Sequence, residues 1–256
     1  MKKLILIFAC LLFNTQVGVF AQNKHFVTSG VIEFERTANM YALVKRKVTK
    51  HTMENKPYYE QYLRTEPQFI TLKSTLTFGN ELSLFEPIPP VKPVHWWYDS
   101  PMANQLNVIY SDFKNGKSVV QKEFYERTFL AKDSLRNIKW KITEETRIIA
   151  GYNCRRANGL MLDSIYVVAF YSDEIHVPGG PESFNGLPGM ILGVAVPHEN
   201  ITWFATKVTE AAFDPKKIVS PKKGKEVSYK EMYDEIVKTV SNAGDYAIVQ
   251  LKGLLL

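Results

Sequence analysis

Residues 107–123 read NVIYSDFKNGKSVVQKE, and this stretch decides the fold class. Residues 107–110, with Val108, Ile109 and Tyr110, precede Asn115-Gly116, and residues 117–123, with Val119 and Val120, follow it. An Asn-Gly pair suits the type I′ turn that joins two twisted antiparallel strands. The stretch therefore predicts a β-hairpin, with one strand before residue 115 and one after residue 116.

Short strand signals continue on both sides of this hairpin, separated by gaps of turn length. Upstream, residues 31–36 follow turn residues and are rich in β-branched side chains, and residues 69–78 alternate apolar with polar side chains. Downstream, strands are predicted over residues 128–131, 138–143, 146–149, 153–157, 165–171, 190–196 and 202–209. This spacing predicts a mainly β chain, an antiparallel meander that forms a curved sheet or half-barrel, and not alternating βαβ units.

Helical signals are few. Ser228-Tyr229-Lys230-Glu231 has the form of a capping box, and apolar residues recur at helical spacing from residue 232 to residue 240. Residues 40–64 are charged and rich in tyrosine, so we expect a short helix opened by Pro57 or irregular structure there. Residues 86–101 hold five prolines, which predicts an extended loop.

The first residues predict export. Lys2 and Lys3 precede an apolar run over residues 4–13, and Val19-Phe20-Ala21 offers small residues at the positions before a cleavage site. The run is shorter than the roughly 20 residues that span a membrane. We therefore expect a signal peptide over residues 1–21 and one β-rich domain over residues 22–256, with no transmembrane segment in the mature chain.

The composition of the predicted mature chain limits its function. Cys154 is its single cysteine, so an intramolecular disulfide is excluded there. Loss of Lys2 and Lys3 lowers the net charge from +6 to +4. This excess is small and dispersed, so nucleic acid is not an expected partner.

Catalytic and metal-binding motifs do not stand out. The five histidines lack metal-ligand spacing, although His95, His176 and His198 lie in predicted loops, where a metal or hydrolase site assembled from distant residues stays open. Cys154 precedes Arg155 and Arg156, which would favour a reactive thiolate, yet a cysteine in a strand more commonly packs in the core. The sequence predicts no catalytic residue, no cofactor and no metal ligand.

Aromatic residues in the proline-rich loop are candidates for binding. His95, Trp96, Trp97 and Tyr98 are consecutive, and exposed tryptophans are often contact residues. With His176 they would form the mouth of a binding site on the concave face of a curved sheet, for an apolar or peptide ligand. The alternative is that these aromatics plug one end of the sheet.

A glycine- and proline-rich stretch precedes the strand over residues 190–196. Residues 179–192 read GGPESFNGLPGMIL, which predicts a rigid turn that leads an apolar strand into the core. Gly186-Leu187-Pro188-Gly189-Met190-Ile191 resembles the signature of the GLPGLI family, with Met190 in place of a leucine. Segments 30–35, 138–142, 146–157, 170–175 and 180–184 resemble other blocks of that family in the same order.

The resemblance implies a location more readily than an activity. GLPGLI proteins are exported proteins of Bacteroidetes, largely of unknown function, expected in the periplasm or at the outer membrane and often grouped with TonB-dependent receptors. No catalytic residues are established for the family. We therefore expect a non-catalytic envelope protein, a binding or accessory partner of an outer-membrane receptor or transporter. A secreted hydrolase or metal-binding protein and a structural component of an outer-membrane assembly are the alternatives.

Overall fold

The computed structural model describes residues 25–48, 53–90, 101–124, 126–162, 164–240 and 251–255. Within these residues the chain forms one twelve-stranded sheet. The strands are β1 (Ser29–Asn39), β2 (Phe69–Gly79), β3 (Leu82–Ile88), β4 (Val108–Asp112), β5 (Lys117–Phe124), β6 (Arg127–Ser134), β7 (Lys139–Ile149), β8 (Tyr152–Met161), β9 (Ile165–Ser172), β10 (Met190–Val196), β11 (Ile201–Glu210) and β12 (Lys225–Val227).

The sheet consists of two meanders joined at the first strand. Its order is β12-β6-β5-β4-β3-β2-β1-β11-β10-β9-β8-β7, so β1 pairs with β2 on one side and with β11 on the other. The pairs are antiparallel except for β12, which lies parallel to β6. Among the described residues, β12 and β7 are the two edges and the sheet does not close. The predicted mainly β fold with an antiparallel meander is confirmed.

Four α-helices can be bounded in the described residues, together with helical residues 251–255. They are α1 (Met40–Lys45), α2 (Lys56–Thr65), α3 (Pro101–Asn104) and α4 (Tyr229–Val240), and short 3₁₀ turns span Met53–Asn55, Pro197–Glu199 and Pro215–Lys217. The predicted capping box precedes α4, where the Glu231 carboxylate accepts from the Ser228 backbone N–H at 2.7 Å and the Ser228 hydroxyl accepts from the Glu231 N–H at 3.2 Å. Within this part of the chain, none of the helices has the length and apolar character needed to cross a membrane.

The buried residues form two hydrophobic clusters. The first lies between the sheet and α4 and includes Val120, Phe129 and Met232. The second gathers α1, α3 and the strands from β8 to β11, with Trp203 among its largest side chains. On the inward face of β1, Phe34 belongs to the first cluster and Ala38 to the second. The residue between them on that face is Arg36, so β1 places a guanidinium group where the two clusters meet.

The turns differ from the sequence prediction in one respect. The Asn115-Gly116 hairpin is present, but Phe113 to Gly116 form a four-residue loop in which only Gly116 has positive φ. The Asn115 N–H donates to the Asp112 carboxylate at 2.9 Å, which holds Asn115 outside the left-handed region. The predicted type I′ turn at this place is therefore wrong. Two-residue turns with positive φ at both positions occur instead at Asn80-Glu81 and Ala150-Gly151.

Two features of the strands were also not predicted. Residues 138–143 and 146–149 form one strand, β7, which has a register shift between Ile142 and Thr146. β3 extends into the proline-rich segment, where Pro87 pairs with Ser74 of β2. The pairing of β3 with β4 ends at Phe85, so Pro87 lies where no donor is needed on the second side.

Candidate functional site

The backbone of the glycine- and proline-rich segment that joins β9 to β10 is closely constrained. Gly186 and Gly189 have φ of +92° and +149°, in the left-handed region that favours glycine. A Cβ at Gly189 would lie 2.2 Å from the Ser172 carbonyl oxygen, so the loop backbone contacts the end of β9 directly. The Ile191 N–H donates to the Gly179 carbonyl at 2.8 Å and closes the loop.

This loop holds a buried carboxylate, Glu182. Its backbone has φ of +50°, an uncommon value for a residue other than glycine, and its side chain is 5% exposed. The Asn107 amide donates to the Glu182 Oε2 at 2.9 Å, and the Glu182 Oε1 lies 3.8 Å from the Arg36 Nη1. The loop therefore delivers one negative charge to the junction of the two hydrophobic clusters.

Arg36 is held mainly by carbonyl oxygens. Its guanidinium donates to the carbonyls of Gln105 at 3.2 Å and Met102, and it stacks over the Trp203 ring with its Cζ 4.8 Å from the ring centroid. Burial lowers the pKa of Arg36, and the Glu182 carboxylate opposes that shift. Arg36 Nε and Asn107 Oδ1 are buried without a hydrogen-bond partner, so the network is only partly satisfied.

A second buried cation lies close to this pair. Lys122 is 3% exposed, on the same inward face of β5 as Val120 and Phe124. Its ammonium donates to the carbonyl oxygen of Leu254 in the helical residues 251–255. Burial lowers the pKa of Lys122 to about 7, with the Glu182 carboxylate opposing the shift and the guanidinium groups of Arg136 and Arg36 adding to it. Burial of a charged ammonium group on an apolar strand face lowers the stability of the folded chain, which makes Lys122 a candidate for a functional residue.

A cavity of about 710 Å³ opens beside Lys122, between the sheet, α4 and the helical residues 251–255. Its polar wall includes Lys122, Asn107 and Arg136, and its apolar wall is formed by strand and helix residues. Those apolar residues are Ile109, Val120, Leu135, Leu162, Ile165, Met232, Leu254 and Leu255. Several residues that line the cavity are exposed, so the cavity meets solvent along this rim: Ser134, Asn137, Leu162, Ser164, Lys230 and Tyr233.

A smaller cavity of about 390 Å³ adjoins the first and shares Ser164, Ile165 and Lys252 with it. Its charged group is Glu199, which is buried and lies 2.6 Å from the Arg46 guanidinium and 3.3 Å from the Lys252 ammonium. Two cations therefore neutralise this carboxylate, and the site is already satisfied within the protein.

Of the residues proposed from sequence for binding, only His176 lies among the described residues. His95, Trp96, Trp97 and Tyr98 lie outside the described residues. The His176 ring stacks on Phe26 with ring centroids 4.3 Å apart, and His176 lines neither of the two cavities. Over the described ranges, no group of three or more His, Cys, Asp or Glu side chains has a geometry that would hold a metal ion.

Cys154 packs in the first hydrophobic cluster. Its side chain is fully buried, and burial raises the pKa of the thiol to about 12. A thiol in this state is almost entirely protonated at neutral pH, and only the thiolate is a nucleophile. The structure therefore favours the core interpretation of Cys154 over the reactive one.

Arg36, Lys122 and Glu182 are not among the residues predicted from sequence. Two of them carry a readable signal, because each is a cation at an inward position of an alternating strand: Arg36 follows Ile32 and Phe34, and Lys122 follows Val120. Glu182 carries no such signal, since its burial depends on a loop that meets β1 only in the folded chain.

Comparison with known proteins gives a family match for one segment of the chain and two solved structures with a similar fold. A family model described as "Protein of unknown function (Porph_ging)", from a Bacteroidetes-associated family, matches residues 160–193, which include β9, the Glu182 loop and part of β10. No curated protein matches the sequence. The narrower GLPGLI assignment stays a prediction.

Two solved structures of PNGF-II, in space groups P21 and C2, are similar in fold. The first has a TM-score of 0.52 and 16% identity and covers 83% of this chain and 34% of its own; the second has a TM-score of 0.53 and 16% identity and covers 82% and 33%. This chain therefore spans about a third of the length of PNGF-II. At this identity the likeness concerns the fold alone.

Proposed function

We propose that this chain is an exported envelope protein that binds a small ligand in the 710 Å³ cavity under α4 and does not transform it. The observation that carries the proposal is a buried lysine in the wall of an otherwise mainly apolar cavity that meets solvent. Ligand sites typically have volumes of about 300–1,000 Å³, apolar walls and a few placed polar groups.

The cost of the polar wall supports binding over a purely structural role. An apolar side chain at Lys122 would continue the stripe of Val120 and Phe124, and would remove the free energy needed to bury an ammonium group. Groups that oppose folding in this way are common at functional sites. The lysine is therefore better explained by a ligand than by the stability of the sheet.

Binding without catalysis is proposed because the described polar groups of the cavity make local contacts: the Ser134 hydroxyl donates to the adjacent Asp133 carboxylate at 3.4 Å, and that carboxylate also accepts from the backbone N–H groups of Ser134 and Tyr229. Lys122 donates to a backbone carbonyl, and Arg136 donates to the Met161 sulfur at 3.0 Å. Cys154 lies in the hydrophobic core with a raised pKa. These contacts suit the positioning of a ligand better than the chemistry of a hydrolase.

Export and location rest on the sequence. Residues 1–21 have the form of a signal peptide. We place the protein in the periplasm or at the outer membrane, as an accessory to an outer-membrane receptor or transporter. Fractionation of the native cells, with the mature mass measured by mass spectrometry, tests this: a cytoplasmic chain that retains residues 1–21 contradicts it.

The binding proposal is tested by filling the cavity. Val120→Phe places a larger side chain in the cavity wall, and Val119→Phe, one residue earlier on the opposite face of β5, is the matched control. Native mass spectrometry of protein purified from envelope fractions should show a bound mass for the wild type and the control and none for Val120→Phe.

Circular dichroism confirms that each variant is folded, and Met232→Phe fills the cavity from the α4 side if Val120→Phe does not fold. Wild-type protein without any bound mass contradicts the proposed function. The same bound mass in the wild type and in both filled variants shows that the ligand lies elsewhere and also contradicts the proposal.

A further inference from the structure

The charges around the cavity are unbalanced. Lys122, Arg136, Lys230 and Lys252 line it, against one carboxylate, Asp133. Two of these cations have a carboxylate partner within the protein: Lys230 lies 2.7 Å from Asp234, and Lys252 lies 3.3 Å from Glu199, which Arg46 also contacts. Lys122 and Arg136 are left, and no salt bridge within the described ranges joins either of them to a carboxylate.

The nearby carboxylates do not correct this excess. The Glu182 carboxylate acts electrostatically on both cations, yet it also lies 3.8 Å from Arg36, so three buried or half-buried cations share this one negative charge. Asp133 accepts from the backbone N–H groups of Ser134 and Tyr229. An anion in the cavity would therefore find attraction that is not used within the described structure, in surroundings where water screens it poorly.

The rest of the wall selects against a small anion that has no apolar chain. Val120 and Ile109 border the lysine on the sheet side, and Met232 and Leu254 face the cavity from the helical side. A bare phosphate or acetate ion would leave this apolar surface in contact with water. A neutral lipid would cover the apolar surface but leave the two cations without a counter-charge.

We propose that the ligand is an anionic single-chain amphiphile, with its carboxylate or phosphate head group at Lys122 and Arg136 and its acyl chain along the apolar wall toward Leu162 and Tyr233. Lys122 is buried, Arg136 is half-buried, and Leu162 and Tyr233 are exposed, so the head group lies at the buried end beside Lys122 and the chain runs toward solvent. This inference rests on the proposed binding function and names the class of ligand.

Isothermal titration of delipidated protein with defined probes tests it. Palmitate supplies a carboxylate head, 1-palmitoyl lysophosphatidate a phosphate head, and 1-monopalmitoylglycerol the same chain with a neutral head; acetate and inorganic phosphate supply heads alone. We expect one or both anionic amphiphiles to bind about tenfold or more tightly than the monoglyceride, since a charge-assisted hydrogen bond contributes on that scale. Tighter binding of palmitate assigns the site to carboxylate lipids, and tighter binding of lysophosphatidate assigns it to phosphate lipids.

The variants make the test specific. Lys122→Met should weaken anionic binding by about tenfold to a hundredfold and leave the monoglyceride unchanged. Lys117→Met, an exposed position on the same strand, is the matched control and should change neither. If Lys122→Met does not fold, Arg136→Gln tests the same head-group site, because Arg136 lies in the segment between β6 and β7.

The outcomes separate this inference from the binding function. Equal affinity for the monoglyceride and the acids, or unchanged affinity in Lys122→Met, overturns the anionic head group while the cavity remains the binding site. Failure of all three amphiphiles to bind, when wild-type protein still carries a mass that Val120→Phe lacks, overturns the ligand class alone. Tight binding of acetate or phosphate without a chain also contradicts it.

Discussion

Replacement of Lys122 by methionine should stabilise the protein, and by more at neutral than at alkaline pH. Burial gives the folded protein a Lys122 pKa of about 7, against 10.5 for the exposed side chain. Between these two values the unfolded chain binds a proton that the folded chain does not. The contribution of Lys122 to the free energy of unfolding therefore rises with pH over this window, and below about pH 7 its full penalty is present.

The magnitude follows from the size of the shift. Each pH unit inside the window changes the free energy of unfolding by up to about 1.4 kcal/mol, so wild-type protein should gain roughly 2–3 kcal/mol from this group between pH 7 and pH 9. The charged groups that act on Lys122 are Glu182, Arg136 and Arg36, and all three are present in both proteins. Lys122→Met lacks the titrating ammonium, so its advantage over the wild type should shrink by about that amount.

Urea denaturation at pH 7, 8 and 9, followed by circular dichroism, measures the difference between the two proteins. Subtraction removes the titration of every other group that is common to both. Lys117→Met, on the same strand but exposed, should show a difference that does not depend on pH. A constant difference between wild type and Lys122→Met across the three pH values would refute the buried charge and remove the electrostatic basis of the ligand proposal.

Three further expectations concern the Glu182 loop and the core. Glu182→Gln should lower the free energy of unfolding by about 3–5 kcal/mol, because the buried Arg36 guanidinium loses its carboxylate. Glu145→Gln, at a largely exposed ion pair, should lower it by less than about 1 kcal/mol. Urea denaturation measures both losses, and equal losses would contradict the buried pair. Gly189→Ala should abolish folding, because the added Cβ would lie 2.2 Å from the Ser172 carbonyl oxygen. Gly151 also has positive φ but has nothing within 4 Å of an added Cβ, so Gly151→Ala should lower the free energy of unfolding by only about 1–2 kcal/mol. Similar midpoints of the two variants in thermal melts would show that the close approach at Gly189 does not matter. Cys154 should react with a thiol reagent at pH 8 only after unfolding in urea, given its burial and its pKa of about 12, and rapid labelling of the folded protein would contradict both.

The strands could be predicted because their signal is local. Alternating side chains in β2 and the turn residues around β4 and β5 depend on neighbours in sequence, and the structure places strands there. The geometry of the turns was harder to predict from the sequence. Asn115-Gly116 has the composition of a type I′ turn, yet the Asp112 carboxylate captures the Asn115 N–H and a longer loop forms. The tight turn at Ala150-Gly151 has no asparagine to indicate it.

Pairings between distant segments could not be predicted. β12 is three residues long and lies parallel to β6, about a hundred residues earlier, so its sequence carries too few positions for an alternation to be visible. The junction of the two meanders at β1 and β11 is equally remote in sequence. Such contacts depend on the whole sheet and not on any local propensity.

The candidate site lies between these two cases. Arg36 and Lys122 interrupt apolar faces of β1 and β5, and a cation at an inward strand position predicts either a partner or a function. The sequence does not reveal the partner, because Glu182 reaches the cluster from a loop between β9 and β10. A search for charged residues that break strand alternation would have found two of the three charges and no cavity.

The loop that carries the glycine motif links folding to binding. Gly189 fits its close approach to β9 only without a side chain, and the same loop holds Glu182 with positive φ beside Arg36. The one buried carboxylate of this cluster is thus fixed by backbone geometry, while Lys122 is left with a carbonyl oxygen and a lowered pKa. One cation, Arg36, is enough to balance the charge of Glu182, so Lys122 is not needed for that purpose. The additional positive charge is explained when the cavity receives an anion, which would raise the pKa of Lys122 again and add to the stability of the folded chain.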